Sequence, residues 1–159
     1  MLEKFFSFSG RLNRKPYWLR TLALYAIVIG LAVLAGALGG ALGGSGGADQ
    51  LVSGVGPVIG IVGVVVFVAF AIASLSLSVR RLHDRNKSGW WLLLFILVPY
   101  VIQTVGAASG EPTVALIALG ISFAISIWYL VEVGFLRGTD GSNRFGDDPL
   151  GGANADIFA

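Results

Sequence analysis

His83 and Asp84 are adjacent, and they are the pair in this sequence best suited to acid–base or metal chemistry. Imidazole titrates near neutral pH, and a neighbouring carboxylate can orient its ring. The chain has a single His and no Cys, and no second metal ligand lies at helical spacing, so we predict no metal, no cofactor and no catalytic residue. We expect Asp84 instead to form an ion pair with a base. The candidate bases are Arg11, Arg80 and Arg81.

Glu132 is the only acidic residue inside a long apolar stretch. A charge in such a position is costly unless a partner or water stabilises it. We interpret Glu132 as the partner of an arginine from the N-terminal or central part of the chain. The alternative is an ion or proton relay in a small transporter or channel, whose path would be lined by the pairs Ser74/Ser78 and Ser122/Ser126.

Five arginines could together bind an anion. Guanidinium groups bind phosphate through paired hydrogen bonds, so the set is a candidate site for anionic lipid headgroups or phosphate. Alternatively, these charges only orient the protein in a membrane, but the ordered spacing of aromatic and basic residues exceeds what orientation requires. The set comprises Arg11, Arg14, Arg80, Arg81 and Arg85.

A second predicted group of polar residues is either a functional cluster or a structural one. Its members come from three separate parts of the sequence, so the fold must bring those parts together. The group comprises His83, Asp84, Glu132 and Asn143.

The elements that position these residues are strongly apolar. Hydrophobic residues make up 55% of the 159 residues and charged ones only 13%, and the mean hydropathy is +0.81. A soluble domain of this size would expose much of that apolar surface, so lipid must cover it. The net charge is only +2 and the bases flank apolar segments, so membrane phosphates rather than nucleic acid are the predicted anions.

Four apolar stretches reach the roughly 20 residues that a helix needs to cross hydrocarbon. They cover residues 17–42, 51–79, 90–108 and 112–136. The first is too long for a cleaved signal peptide, and three more follow it. We therefore predict an all-α membrane protein with four transmembrane helices in a compact bundle. Ser88 is predicted to cap the third helix.

The basic residues predict how the chain is oriented. All eleven Lys and Arg fall on one side of the four spans, and the other side carries only Asp49 and Glu111. The positive-inside rule therefore places both termini and the central loop in the cytoplasm. The four tryptophans lie in the same halves of the helices, as expected for headgroup anchors.

The chain divides into three parts. Residues 1–16 form an aromatic and basic interfacial segment, and residues 17–136 form the transmembrane domain, with a cytoplasmic loop at 80–89. Residues 137–159 form a turn-rich tail. We expect the segment, the loop and the tail to fold together against the cytoplasmic face.

Small residues recur every fourth position on the first two helices. Such faces allow close backbone approach, either between neighbouring helices of the chain, which we favour, or between copies in a homo-oligomer. The positions are Ala32, Gly36, Gly40 and Gly44 on the first helix, and Gly56, Gly60, Ala69 and Ala73 on the second.

Three motifs occur in order along the chain. They are Phe6-Ser7-Phe8-Ser9-Gly10-Arg11 with Arg14 and Tyr17-Trp18, Arg80-Arg81-Leu82-His83-Asp84 with Ser88-Gly89-Trp90-Trp91, and residues 138–149. Together these motifs resemble domain-of-unknown-function family 805. The resemblance implies a small bacterial inner-membrane protein, and it brings no established activity or catalytic residues.

The predicted function is that of a non-enzymatic scaffold or accessory factor in the bacterial plasma (inner) membrane. Its basic cytoplasmic face would bind anionic lipid headgroups or a protein partner. The predicted partners are membrane lipids, with a membrane-protein partner or a second copy of the chain left open, and no nucleic acid.

Overall fold

The computed structural model describes residues 3–43 and 48–151. Four of its helices are long and apolar enough to cross a membrane, which confirms the predicted number of spans. Within the described residues no strand forms, apart from one isolated bridge between Asn143 and Gly146. The elements are α1 (Glu3–Phe6), α2 (Arg14–Gly43), α3 (Ala48–Asp84), α4 (Trp91–Ala108), α5 (Pro112–Leu130) and a π-helical turn (Val131–Phe135).

The second membrane helix, α3, is longer than predicted. It continues past Val79 to Asp84, so the first half of the predicted loop 80–89 is helical. No Gly or Pro interrupts the chain there, and the side chain of Arg81 finds partners inside the protein. The predicted cap by Ser88 is wrong. Trp90 occupies the N-cap position of α4, and no side chain makes a capping hydrogen bond there.

The helices pack as two hairpins rather than as the predicted compact bundle. Helix α2 packs along α3, and α4 packs along α5, while contact between the hairpins is sparse except at one end. No described side chain between residues 31 and 40 of α2 is buried. The physical reason is that lipid tails are as apolar as the helices, so no hydrophobic force pulls the hairpins together.

The core lies at the end of the molecule where the N-terminal segment, the α3–α4 connection and the tail meet. We call it the basic end. Side chains from both hairpins form its apolar part, and a hydrogen bond of 2.7 Å between Ser78 and the Tyr129 hydroxyl joins α3 to α5. The buried apolar residues are Leu12, Tyr17, Leu77, Leu82, Leu92, Phe95 and Val133.

The small-residue faces pack within the chain at only some of the predicted positions: Ala73 is buried, whereas four of the glycines lie in open space. A Cβ atom built on Gly36, Gly40, Gly56 or Gly60 would meet nothing within 4 Å among the described residues. The prediction of helix packing within one chain is therefore wrong at these four positions. Gly44 lies outside the described residues.

Candidate functional site

Asp84 is the centre of the basic end. Its side chain is almost fully buried at the C-terminus of α3, where Arg11 donates from Nε to Oδ1 at 3.1 Å and Arg81 donates from Nη1 to Oδ2. Both guanidinium groups are buried as well. The predicted ion pairing of Asp84 is thus confirmed for Arg11 and Arg81, which lie on opposite sides of one carboxylate.

Arg11 also holds the tail. Its Nη1 donates to the carbonyl of Gly141, and its Nη2 donates to the carbonyl of Thr139, each at 2.5 Å. A guanidinium offers five N–H donors in a fixed plane, so one arginine can bind a carboxylate and two separate carbonyls at once. Arg11 therefore joins the N-terminal segment, α3 and the tail.

The π-helical turn at the end of the fourth span presents carbonyl groups that no further helical turn satisfies. Arg81 donates from Nε to the carbonyl of Val133 at 2.8 Å and from Nη2 to that of Leu136. The indole of Trp18 donates to the carbonyl of Gly134 at 3.0 Å. These donors from α2 and α3 cap the fourth span, and the positive charge of Arg81 suits the negative end of its dipole.

Glu132 lies in this same turn and is buried. Its Oε1 accepts from Arg85 Nε at 2.6 Å and from Lys87 Nζ at 2.7 Å. The predicted ion pair with an arginine of the central segment is confirmed. The sequence reasoning missed Lys87 as a partner of Glu132. Its place in the sequence between Arg85 and Trp91 was a usable signal, because a base there can also contact the indole. In the structure the Lys87 ammonium lies 4.4 Å from the centroid of the Trp91 ring.

The tail packs on the end of α3 through polar contacts. Thr139 donates from its backbone N–H to the carbonyl of Asp84 at 2.8 Å, and Asn143 donates from Nδ2 to the carbonyl of His83 at 3.0 Å. Gly138 lies so close to the Asp84 carboxylate that a Cβ atom would collide with it. The tail therefore needs glycine at position 138.

Asp148 stabilises the fold of the tail itself. Its carboxylate accepts N–H bonds from Leu150 at 2.9 Å and from Gly141 at 3.0 Å. These two backbone hydrogen bonds hold the pKa of the Asp148 carboxyl below its usual value, because they favour the charged form. The carboxylate therefore closes the loop between residues 141 and 148.

His83 serves the docking of the tail in this structure. Its ring stacks on Phe145 at 3.9 Å with an interplanar angle of 4°, and its Nδ1 lies 3.3 Å from the carbonyl of Gly10. The guanidinium of Arg144 also lies over Phe145, at 4.7 Å. Within residues 3–43 and 48–151, no three acidic or His side chains come together as a metal site.

The structure thus brings together His83, Asp84 and Asn143, with Glu132 nearby in the turn that Arg81 caps. The five predicted anion-binding arginines do not share one surface. Arg11 and Arg81 are buried, and Arg85 forms an ion pair with Glu132. Arg80 lies half-buried near Arg20. Arg14 is exposed and donates to the Phe135 carbonyl at 3.2 Å.

Three of the four hydroxyls in the predicted serine pairs bond to carbonyls. Ser78 donates to the carbonyl of Ser74 at 2.8 Å, and Ser126 donates to that of Ser122 at 2.9 Å, in each case one helical turn back. Ser122 reaches across to the carbonyl of Pro99 at 3.4 Å. These hydroxyls therefore satisfy the protein's own acceptors.

Four membrane-capable helices, joined at one end by two buried carboxylates that each bind two bases, define a multi-pass integral membrane protein. The chain belongs to the family described as a protein of unknown function, DUF805, whose model matches residues 5–147. That range includes both carboxylates and the bases that bind them. The family resemblance read from the motifs is confirmed.

Several relatives share most of their length with the chain. It is 30% identical to the inner membrane protein YhaI of Escherichia coli (strain K12), covering 97% of this chain and 95% of the relative. It is also 30% identical to the inner membrane protein YhaH of that strain, over 94% and 92% of the two chains. The uncharacterized protein YiiR is 29% identical over 90% and 86%. No solved structure matches.

Proposed function

We propose that this protein is a non-enzymatic membrane scaffold whose basic end lies at the cytoplasmic surface of the inner membrane and binds anionic lipid headgroups. The observation that carries the proposal is the charge of that end. It holds ten Lys and Arg but only five Asp and Glu among the residues whose side chains the structure describes. Anionic lipids attract such a surface, at about 1 kcal/mol per nearby base.

The positive-inside rule supports the cytoplasmic placement, since the opposite end carries no Lys or Arg. The chain has no Cys, so Ser142→Cys in the exposed tail would be the only thiol. We expect a membrane-impermeant maleimide to label this variant only after the inner membrane is opened. Labelling in spheroplasts with an intact inner membrane would refute the placement.

Lipid binding is tested with the wild-type protein in mild detergent, by native mass spectrometry with phosphatidylglycerol or phosphatidylcholine. We expect a preference for the anionic lipid that shrinks as salt rises, because exposed charges are screened. Equal retention of the two lipids at low salt would contradict the proposal. In that case a protein partner, captured by crosslinking in cells, becomes the better explanation of the basic end.

The geometry does not favour the alternative of a small transporter or channel. Arg85 and Lys87 hold Glu132, and the serine hydroxyls bind carbonyls of the helices. A relay needs a carboxylate that can exchange its partner, whereas this one has two cations within 2.7 Å. Ion flux into protein-loaded liposomes that is lost on Glu132→Gln would reverse this judgement.

A further inference from the structure

An open groove of about 750 Å³ lies where the start of α2 meets the π-helical turn. It begins among polar residues at the end of the first span and continues toward apolar ones. The lining residues are Asn13, Arg14, Lys15, Trp18, Leu19, Gly134, Phe135 and Leu150.

The polar part of the groove carries positive charge that no acid balances. Arg14 and Lys15 are exposed, and neither forms an ion pair with any acid among the described side chains. Arg14 uses one of its donors on the Phe135 carbonyl, which fixes the guanidinium at the rim and leaves other N–H groups available. Among the residues that the structure describes, no acidic one lines the groove.

The apolar part begins about 7.5 Å along the helix axis from Arg14, because the five residues from there to Leu19 rise by that distance. Leu19 and Phe135 form this part of the groove and are 70% and 58% exposed. The wall between them is rigid, because the Trp18 indole bonds to the Gly134 carbonyl and packs against that glycine. The groove is therefore charged at its rim and apolar directly beside it.

We infer that this groove binds one anionic glycerophospholipid, with its phosphate on Arg14 and Lys15 and an acyl chain along Leu19 and Phe135. The inference rests on the proposed function and assigns it to one site. Charge complementarity selects the headgroup, because two uncompensated bases at the rim match a phosphate. The apolar wall selects a lipid over a free phosphate, which would gain nothing from Leu19 or Phe135.

The test compares two variants that lose the same charge. Arg14→Gln/Lys15→Gln removes both positive charges at the rim of the groove. Arg137→Gln/Arg144→Gln removes two exposed positive charges from the tail. Native mass spectrometry measures retained phosphatidylglycerol after confirming that each variant elutes and melts as a folded protein. We expect the first variant to bind the lipid roughly thirty-fold more weakly, from two lost contacts, and the second to lose at most a few-fold.

Four outcomes would overturn the inference. Equal losses of lipid affinity in the two variants would mean that only the net charge matters. A larger loss of affinity in the tail variant would place the site in the tail. In both cases the proposed function stands. Displacement of the lipid by millimolar inorganic phosphate means that the groove is a phosphate site. If the wild type shows no preference for phosphatidylglycerol over phosphatidylcholine, the proposed function fails too.

Discussion

Replacing Asp84 by asparagine should destabilise the protein far more than replacing Asp140. Both aspartates pair with an arginine three residues earlier in the chain, so they form a matched comparison. Around Asp84 the paired side chains are at most 3% exposed, whereas those of Arg137 and Asp140 are 69% and 79% exposed. Asparagine keeps the shape of the side chain and removes its charge.

The expected magnitude follows from burial. Removing the acid of a buried pair costs about 3–5 kcal/mol, because the remaining cations have no counter-charge. An exposed pair contributes only about 0–1 kcal/mol. At roughly 2–4 °C per kcal/mol for a chain of this size, Asp84→Asn should lower the Tm by roughly 6–20 °C, and Asp140→Asn by roughly 0–4 °C.

Tryptophan fluorescence during thermal unfolding in detergent measures both shifts, since the chain has four tryptophans. A further variant, Asp84→Asn with Arg11→Met, removes one of the two uncompensated cations. It should recover part of the lost Tm, although the tail then loses its contacts with Arg11. Equal shifts for Asp84→Asn and Asp140→Asn would refute the view that the buried carboxylate stabilises the basic end.

Gly138→Ala should lower the free energy of unfolding by about 1–3 kcal/mol, because the new Cβ would collide with the buried Asp84 carboxylate. The control Gly120→Ala, in open space on α5, should be neutral or slightly stabilising. Thermal melting compares the two variants. Trp18→Phe should cost about 0.5–1.5 kcal/mol through the lost indole hydrogen bond, and an unchanged Tm would contradict this. The pKa of Asp148 is lowered in the folded state. Its contribution to the stability of the tail is therefore complete above about pH 4 and is lost as the pH falls through the pKa of the folded state. In the wild type, the Gly141 amide should lose protection from hydrogen exchange as the pH falls, because it donates to the Asp148 carboxylate. In Asp148→Asn this pH-dependent loss of protection should be absent.

The sequence was sufficient to predict the four spans and to predict that Asp84 and Glu132 each pair with a base. Apolar length alone identifies a span, because every backbone group in hydrocarbon must bond within the helix. The ion pairs followed from the high cost of an unpaired carboxylate near lipid, which requires Glu132 and Asp84 to find bases. In both cases one energetic penalty dominates every alternative.

The same reasoning could not predict which arginines stay exposed. Arg11 and Arg14 look equivalent in the sequence, yet Arg11 is buried against a carboxylate and two carbonyls of the tail while Arg14 lies at an open groove. The difference depends on where the tail folds back, more than 120 residues later in the chain. The structure separates the five arginines for this reason, and anion binding by any of them stays a prediction.

The loose packing of the hairpins and the dense polar contacts at the basic end have one physical explanation. Apolar helices in lipid gain little from touching one another, so apolar contact alone does not fix how two hairpins are placed. Directional bonds can do so. Arg81 bonds to α3 through Asp84 and to the π-helical turn through the carbonyls of Val133 and Leu136, and Arg85 bonds to the same turn through Glu132. The buried charges therefore hold the two hairpins in one arrangement, which also fixes the walls of the groove at Arg14.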